Sequence, residues 1–304
     1  MDIIIDDLVD WGSCEGSISL FEEIFPDGTD VTQYAFEKAR EAGLPIEFAM
    51  EKAPYLFHNA KHLFEQSFPE AFYYERYVEK LSHDEIKNKS YSNPRRAYEY
   101  QMHYKTHLFL PEVVNQFRTA VCTSPKWAYL FALNVDKHSN PATRRAACGD
   151  PCYAELYARL VDKHPRDDTR EGACLDPRSA YLYARHVDKQ PRDDTRAASC
   201  LDSKSAYQYA FYLDKHPRDD TRAASCLDSK SAYQYAFYLD KHPRDDTRAA
   251  ASRDPEWAYR YAEIVDEQSH DDTRLGTLGS ETWNNLYRYY IDKETTNEHH
   301  SRYP

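Results

Sequence analysis

The decapeptide Leu-Asp-Lys-His-Pro-Arg-Asp-Asp-Thr-Arg occupies residues 213–222 and returns unchanged at 239–248. Within ten residues it holds one imidazole, three carboxylates and three basic side chains, every type that general acid–base chemistry employs. Copies recur along the chain: the Asp-Asp-Thr-Arg tetrad ends at Arg170, Arg196, Arg222, Arg248 and Arg274, and degenerate versions place Arg144 and Arg118 at the same position. A catalytic centre is normally unique, so the repetition predicts a structural joint. An Asp recurs ahead of the tetrad at Asp136, Asp162, Asp188, Asp214, Asp240, Asp266 and Asp292. At the C-terminal end of a helix such a carboxylate opposes the helix dipole and needs a compensating cation. The Arg eight residues later is the expected partner, giving clamps of Asp188 with Arg196, Asp214 with Arg222 and Asp240 with Arg248, within or between units.

Two other side-chain series invite chemistry. His138, His164, His216 and His242 stand one per joint. Helices of neighbouring units pack about 8–10 Å apart, too far to share one zinc ion, so these histidines are expected to be exposed turn residues. Of seven cysteines, Cys122, Cys148, Cys174, Cys200 and Cys226 are spaced by 26 residues. They therefore mark one repeat position, a small buried side chain, rather than a disulfide framework. No phosphate-binding loop, dinucleotide glycine pattern, zinc-ligand set or nucleophile elbow occurs, so the reading is a non-enzyme without cofactor or metal, and no small-molecule substrate is evident.

The elements that position these residues follow from the period. An Ala recurs at Ala128, Ala154, Ala180, Ala206, Ala232 and Ala258, and weaker copies lie upstream from Ala71 and Ala97. Each unit reads as two helices. The first starts at Ser124-Pro125, Asp150-Pro151, Asp176-Pro177, Asp202-Ser203 or Asp254-Pro255, a capping residue followed by a good first helical position. Its apolar stripe, Ala206, Tyr209, Ala210 and Leu213, has helical spacing. Pro217 is expected to break it and to open a short second helix, with Asp219 and Asp220 in the first turn. Ala223, Ala224, Cys226 and Leu227 are expected to pack. In the last unit Asn284 and Arg288 replace the alanines, as a water-facing cap would.

The chain is thus expected to be all-α: a right-handed α-solenoid of about nine 26-residue helix-turn-helix repeats, each borrowing its core from its neighbours. The expected divisions are an acidic N-terminal helical cap region at 1–67, the repeats at 68–293 and a tail at 294–304. The 304 residues are polar, with mean hydropathy −0.85, yet include 26 tyrosines and 13 phenylalanines against 8 glycines. Tyrosine suits a thin architecture, burying its ring while its hydroxyl reaches water. The net charge of −12 sits mainly at the start: residues 1–30 hold nine Asp or Glu and no Lys or Arg. That start is unlike a basic leader, and no apolar run suggests a membrane span, so the expected location is the cytoplasm.

With the stripe turned inward, the outward face of the first helices reads Lys137, then Leu156, Arg159, Lys163, then Arg178, Leu182, Arg185, Lys189. It continues through Lys204, Phe211 and Lys215 to Lys230, Phe237 and Lys241, and reverses sign at Glu256. This basic ribbon with interleaved Leu and Phe is the expected partner-binding surface. Tyr207 and Tyr212 flank it and should touch the neighbouring units. A protein partner is the first reading and nucleic acid the second, since cations with aromatic rings suit both; overall acidity weighs against nucleic acid.

At "AYLYARHVDK" (180–189) and "WAYRYAEIVDE" (257–267) the chain resembles short two-helix repeats common in proteins of large tailed phages and giant DNA viruses, over roughly residues 68–293. It departs from them in the Asp-Asp-Thr-Arg second helix, where those repeats carry a different acidic, Pro-rich segment. The resemblance implies a viral origin and a host-directed role, such as blocking a host or defence protein in the host cytoplasm.

Overall fold

Asp202 shows how a repeat begins. Its backbone is extended, and its carboxylate accepts hydrogen bonds from the Ser205 amide (2.8 Å) and hydroxyl (2.7 Å), capping the helix Ser203–Tyr209. Asp150, Asp176, Asp228 and Asp254 cap their helices in the same way, whereas Ser124 precedes its helix without a side-chain cap. The computed structural model describes residues 3–64, 70–104 and 111–293. It is all-helical, with one isolated antiparallel bridge, between Ile3 and Thr29, among the described residues. The 294–304 tail lies outside them.

The first helix ends in a wider turn than expected. Ala210–Asp214 is π-helical, and the Lys215 amide donates to the Ala210 carbonyl, five residues back, at 2.7 Å. Lys215 then adopts a left-handed conformation with φ 60°, so the helix stops before Pro217 is reached. Lys80, Lys137, Lys163, Lys189, Lys241, Glu267 and Lys293 do the same in their repeats. The second helix, Asp219–Ser225, starts at Arg218 rather than at the proline. Ala224 is buried there, but Ala223 and Leu227 are exposed, which corrects the expectation that both pack.

The inward stripe holds as drawn at Ala206, Tyr209 and Ala210, all fully buried. Tyr209 departs in one respect: its hydroxyl does not reach water. The Arg192 amide donates to it at 2.7 Å, and it lies 2.9 Å from both the Thr195 hydroxyl and the Arg192 carbonyl. The ring of one repeat thus bolts the start of the preceding second helix, whose N-cap, Arg192, offers no side-chain acceptor. The same tyrosine–threonine contact, at 2.9 Å each time, joins Tyr157 to Thr143, Tyr183 to Thr169, Tyr235 to Thr221, Tyr261 to Thr247 and Tyr287 to Thr273.

The chain divides into two compact units, residues 1–136 and 137–304; the expected division at 67/68 lies outside the described residues. In the first unit, the helices from Ile5–Asp10 to Lys61–Phe64 share a core around Phe21, Phe36, Met50 and Phe64, and Tyr74 and Val78 of the first repeat-like helix belong to it. Among the described residues of the second unit, six second helices alternate with six first helices, and successive first helices pack side by side, so 137–293 forms a helical solenoid. In its last repeat, Asn284 is half-buried and Arg288 is exposed.

Two substitutions test this joint. Tyr209→Phe strands the Arg192 amide and the Thr195 hydroxyl, and should lower stability by about 1–3 kcal/mol in urea unfolding. Lys215→Gly removes the Cβ strain of a left-handed L-residue and should raise it by up to about 1 kcal/mol.

Candidate functional site

The joint consumes its charges in ion pairs. Arg196 donates from Nε (3.1 and 3.2 Å) and Nη2 (2.8 Å) to the buried Asp214 carboxylate, and from Nη1 to Asp193 at 2.6 Å. Its guanidinium also sits over the Tyr209 ring, 5.5 Å from the centroid. Burial works against the Arg196 charge, but the bonds it donates to Asp214 and Asp193 outweigh it and push its pKa above the ordinary arginine value. The expected pairing is corrected here. Asp214 takes Arg196, 18 residues earlier, and Arg222 takes Asp240 at 2.8 Å, so Asp214 and Arg222 are not partners. Asp188 likewise pairs with Arg170, and Arg248 with Asp266, each at 2.8 Å. Arg118–Asp136 (2.7 Å) and Arg274–Asp292 (2.8 Å) extend the series.

One joint differs. Arg144 turns to Asp168 (2.7 Å) and the Ser139 hydroxyl (2.9 Å), leaving its Nη1 3.8 Å from Asp162. Both buried Asp162 oxygens then lack a hydrogen-bond donor among the described residues.

The histidines and cysteines find local explanations. His164, His216 and His242 each place Nδ1 2.6–2.7 Å from the carbonyl of the Asp two residues back, closing the helix end. Among the described residues no group of three or more His, Cys, Asp or Glu could hold a metal ion. All seven cysteines are free. The repeat-position cysteines are half-buried rather than buried, and burial still pushes the thiols of Cys148, Cys174, Cys200 and Cys226 up to about 11. Exposed Cys14 goes the other way, its thiolate favoured by the Ser17 hydroxyl and amide. An apolar cavity in the first unit is walled by rings that include Trp11, Phe21 and Phe57, and among the described residues Asp30 is its one ionisable lining side chain.

The expected ribbon splits by depth. Lys137, Lys163, Lys189, Lys215 and Lys241 are exposed at the left-handed helix ends, where glycine would fit the backbone better. Arg178 and Lys204 are exposed and make no ion pair among the described residues; Lys230 is exposed and lies over Trp257, 5.5 Å from the ring centroid. Arg159 pairs with buried Glu155 at 2.8 Å, and Arg185 stacks on Tyr212 at 3.9 Å and bonds the Tyr181 hydroxyl. Leu156, Leu182 and Phe211 are half-buried: Leu182 packs with Tyr181, Ala184 and Tyr209, and Phe211 with Ala210, Tyr235 and Leu239. They are inter-repeat packing as much as outer surface, while Phe237 remains 39% exposed. The flanking tyrosines do meet neighbouring repeats, Tyr181 with Tyr212 at 6.3 Å and Tyr207 with Tyr238 at 6.4 Å between ring centroids.

The reading of the outward stripe missed the most exposed large apolar side chains among the described residues. Leu175, Leu201 and Leu227, 75%, 77% and 72% exposed, stand just before the capping aspartates. A residue there can staple onto the fourth helical residue, but that residue is Ala180, Ala206 or Ala232, too small to cover it. Their 26-residue recurrence beside an alanine was the available signal. Tyr212 and Tyr238, 42% and 45% exposed, add a second row.

Arg196→Met should cost about 3–5 kcal/mol by leaving Asp214 buried and unpaired, and adding Asp214→Leu should restore most of it. Asp162→Asn should cost far less than Asp214→Asn, because Asp162 has no donors to lose; urea unfolding of the four variants checks both statements. In timed alkylation at pH 7.5, Cys14 should react before the repeat-position thiols, because only the thiolate attacks.

Comparison with protein-family models, with characterised proteins and with solved structures finds no match.

Proposed function

We propose that the repeat array is a non-catalytic scaffold that binds a protein partner through the outward side of its first helices. The observation that carries this reading is the row of large apolar side chains left exposed at one position of successive repeats, Leu175, Leu201 and Leu227, with the exposed rings of Tyr212 and Tyr238 at the other end of the first helices. Large apolar side chains left exposed in series are what interaction sites offer. The titratable residues of the joint are meanwhile paired with one another, which supports a structural role for them rather than catalysis. Seven free cysteines accord with action in a reducing compartment such as the cytoplasm, and no helix among the described residues is long and apolar enough to cross a membrane. Together with the viral resemblance, the reading becomes a host-directed blocker acting in host cytoplasm.

Nucleic acid remains the second reading, favoured by one contact: Arg185 stacked on exposed Tyr212, a cation beside a ring on which a base could stack. Affinity capture from a host-type lysate, with and without nuclease, separates the two. The proposal expects a protein retained after nuclease treatment and lost with the double variant Tyr212→Ser/Tyr238→Ser or with Leu201→Ser. Capture that vanishes with nuclease, and falls steeply with salt, would assign the surface to nucleic acid instead.

A further inference from the structure

The three exposed leucines do not stand alone. Each lies three residues before an exposed cation: Leu175 and Arg178, Leu201 and Lys204, Leu227 and Lys230. The leucines are 72–77% exposed, and a cation in the first helical turn opposes the helix dipole, so helix stability does not call for Arg178 or Lys204; Lys230 alone has a ring beneath it, that of Trp257. The row has ends. The preceding repeat has Gly149 at the leucine position, and the following one has Arg253, which donates to the Cys226 carbonyl at 3.0 Å, with Glu256 at the cation position. The footprint is therefore three repeats and two steps between them.

The step selects the occupant. First helices of successive repeats pack side by side, which sets them about 8–10 Å apart. A β-strand returns a side chain to the same face every second residue, about 6.6 Å. An α-helix advances about 5.4 Å per turn. A polyproline II chain has three residues per turn and about 9.3 Å per turn, so every third side chain meets the next repeat in the same orientation. Charge complementarity adds that the residue beside each apolar contact is acidic. Resting on the scaffold reading above, we infer that Leu175–Arg178, Leu201–Lys204 and Leu227–Lys230 form a docking row for an extended acidic peptide in the polyproline II conformation, with a large apolar residue at every third position. About seven to nine residues of such a peptide cover the row.

The test uses the full chain and a fluorescein-labelled dodecapeptide, four copies of Leu-Pro-Glu, read by fluorescence anisotropy at low and moderate salt. Comparison ligands are a scrambled peptide of the same composition, an alternating Leu-Glu dodecapeptide and a twelve-nucleotide single strand. The period-three peptide should bind at least tenfold more tightly than each of them. Leu201→Ser and Lys204→Glu should each weaken it at least tenfold, with circular dichroism unchanged, since both side chains face solvent. Equal binding of the scrambled or alternating peptide, tighter binding of the oligonucleotide, no measurable binding, or indifference to Leu201→Ser would each overturn the inference. If that happens while a nuclease-resistant protein is still captured by the wild type, the docking row fails and the scaffold reading stands; if no protein is captured either, both fail.

Discussion

A guanidinium held between a buried carboxylate and a buried tyrosine ring is the contact on which the array depends. Arg196 reaches from a second helix to Asp214 at the end of the next first helix, and lies over Tyr209 of that same helix. Burying the two charges is costly, and their attraction offsets that cost only when geometry and remaining hydrogen bonds are complete. Here they are: the carboxylate receives three bonds, the guanidinium keeps a third partner in solvent-facing Asp193, and the tyrosine hydroxyl satisfies the Arg192 amide. The pair also neutralises a carboxylate at the unfavourable end of a helix dipole. Because every such contact crosses from one second helix to the following first helix, each joint couples neighbours and none closes within a single hairpin.

This arrangement gives residue types that suggest chemistry a structural use in the joint. The Asp, Arg and His of the decapeptide are each bound to a partner a few ångströms away, and the cysteine thiols are held above the ordinary thiol range by burial. What remains free is on the outside: lysines at left-handed helix ends, leucines ahead of the caps, and tyrosines at the outer edge of the first helices. The interior is nearly invariant from repeat to repeat, while the outward face changes, from Arg159 through Arg185 to Phe237 and Glu263 at one exposed position. Recognition can vary across such a surface without disturbing the joints beneath it.

Much of this was legible in the sequence, because period and capping chemistry are local. The 26-residue register, the capping aspartates and the inward Ala–Tyr–Ala stripe required only spacing. The partner of Asp214 did not follow from spacing, for an arithmetic reason: Arg222 lies 8 residues after it and Arg196 lies 18 before it, and 8 and 18 sum to the period. Every repeat offers both choices, and only the packing decides. The helix end was misplaced for a different reason. Lysine gives no sign of a left-handed conformation, so Pro217 seemed the natural stop although Lys215 had already ended the helix. Leu227 was drawn inward because apolar residues usually are, yet its place just before a capped helix with alanine at the stapling position leaves it in water.

The central claim, that a buried tyrosine locks each joint to the next repeat, is tested most directly by native-state hydrogen exchange at the Arg166, Arg192, Arg218 and Arg244 amides. Each precedes a second helix and has no partner within it, so an unlocked joint would leave it exchanging at the rate of an open loop. The bonds to Tyr183, Tyr209, Tyr235 and Tyr261 predict protection equal to that of amides inside the helices, released only when the array opens. Exchange of these four amides at loop rates, with the helices still protected, would contradict the account.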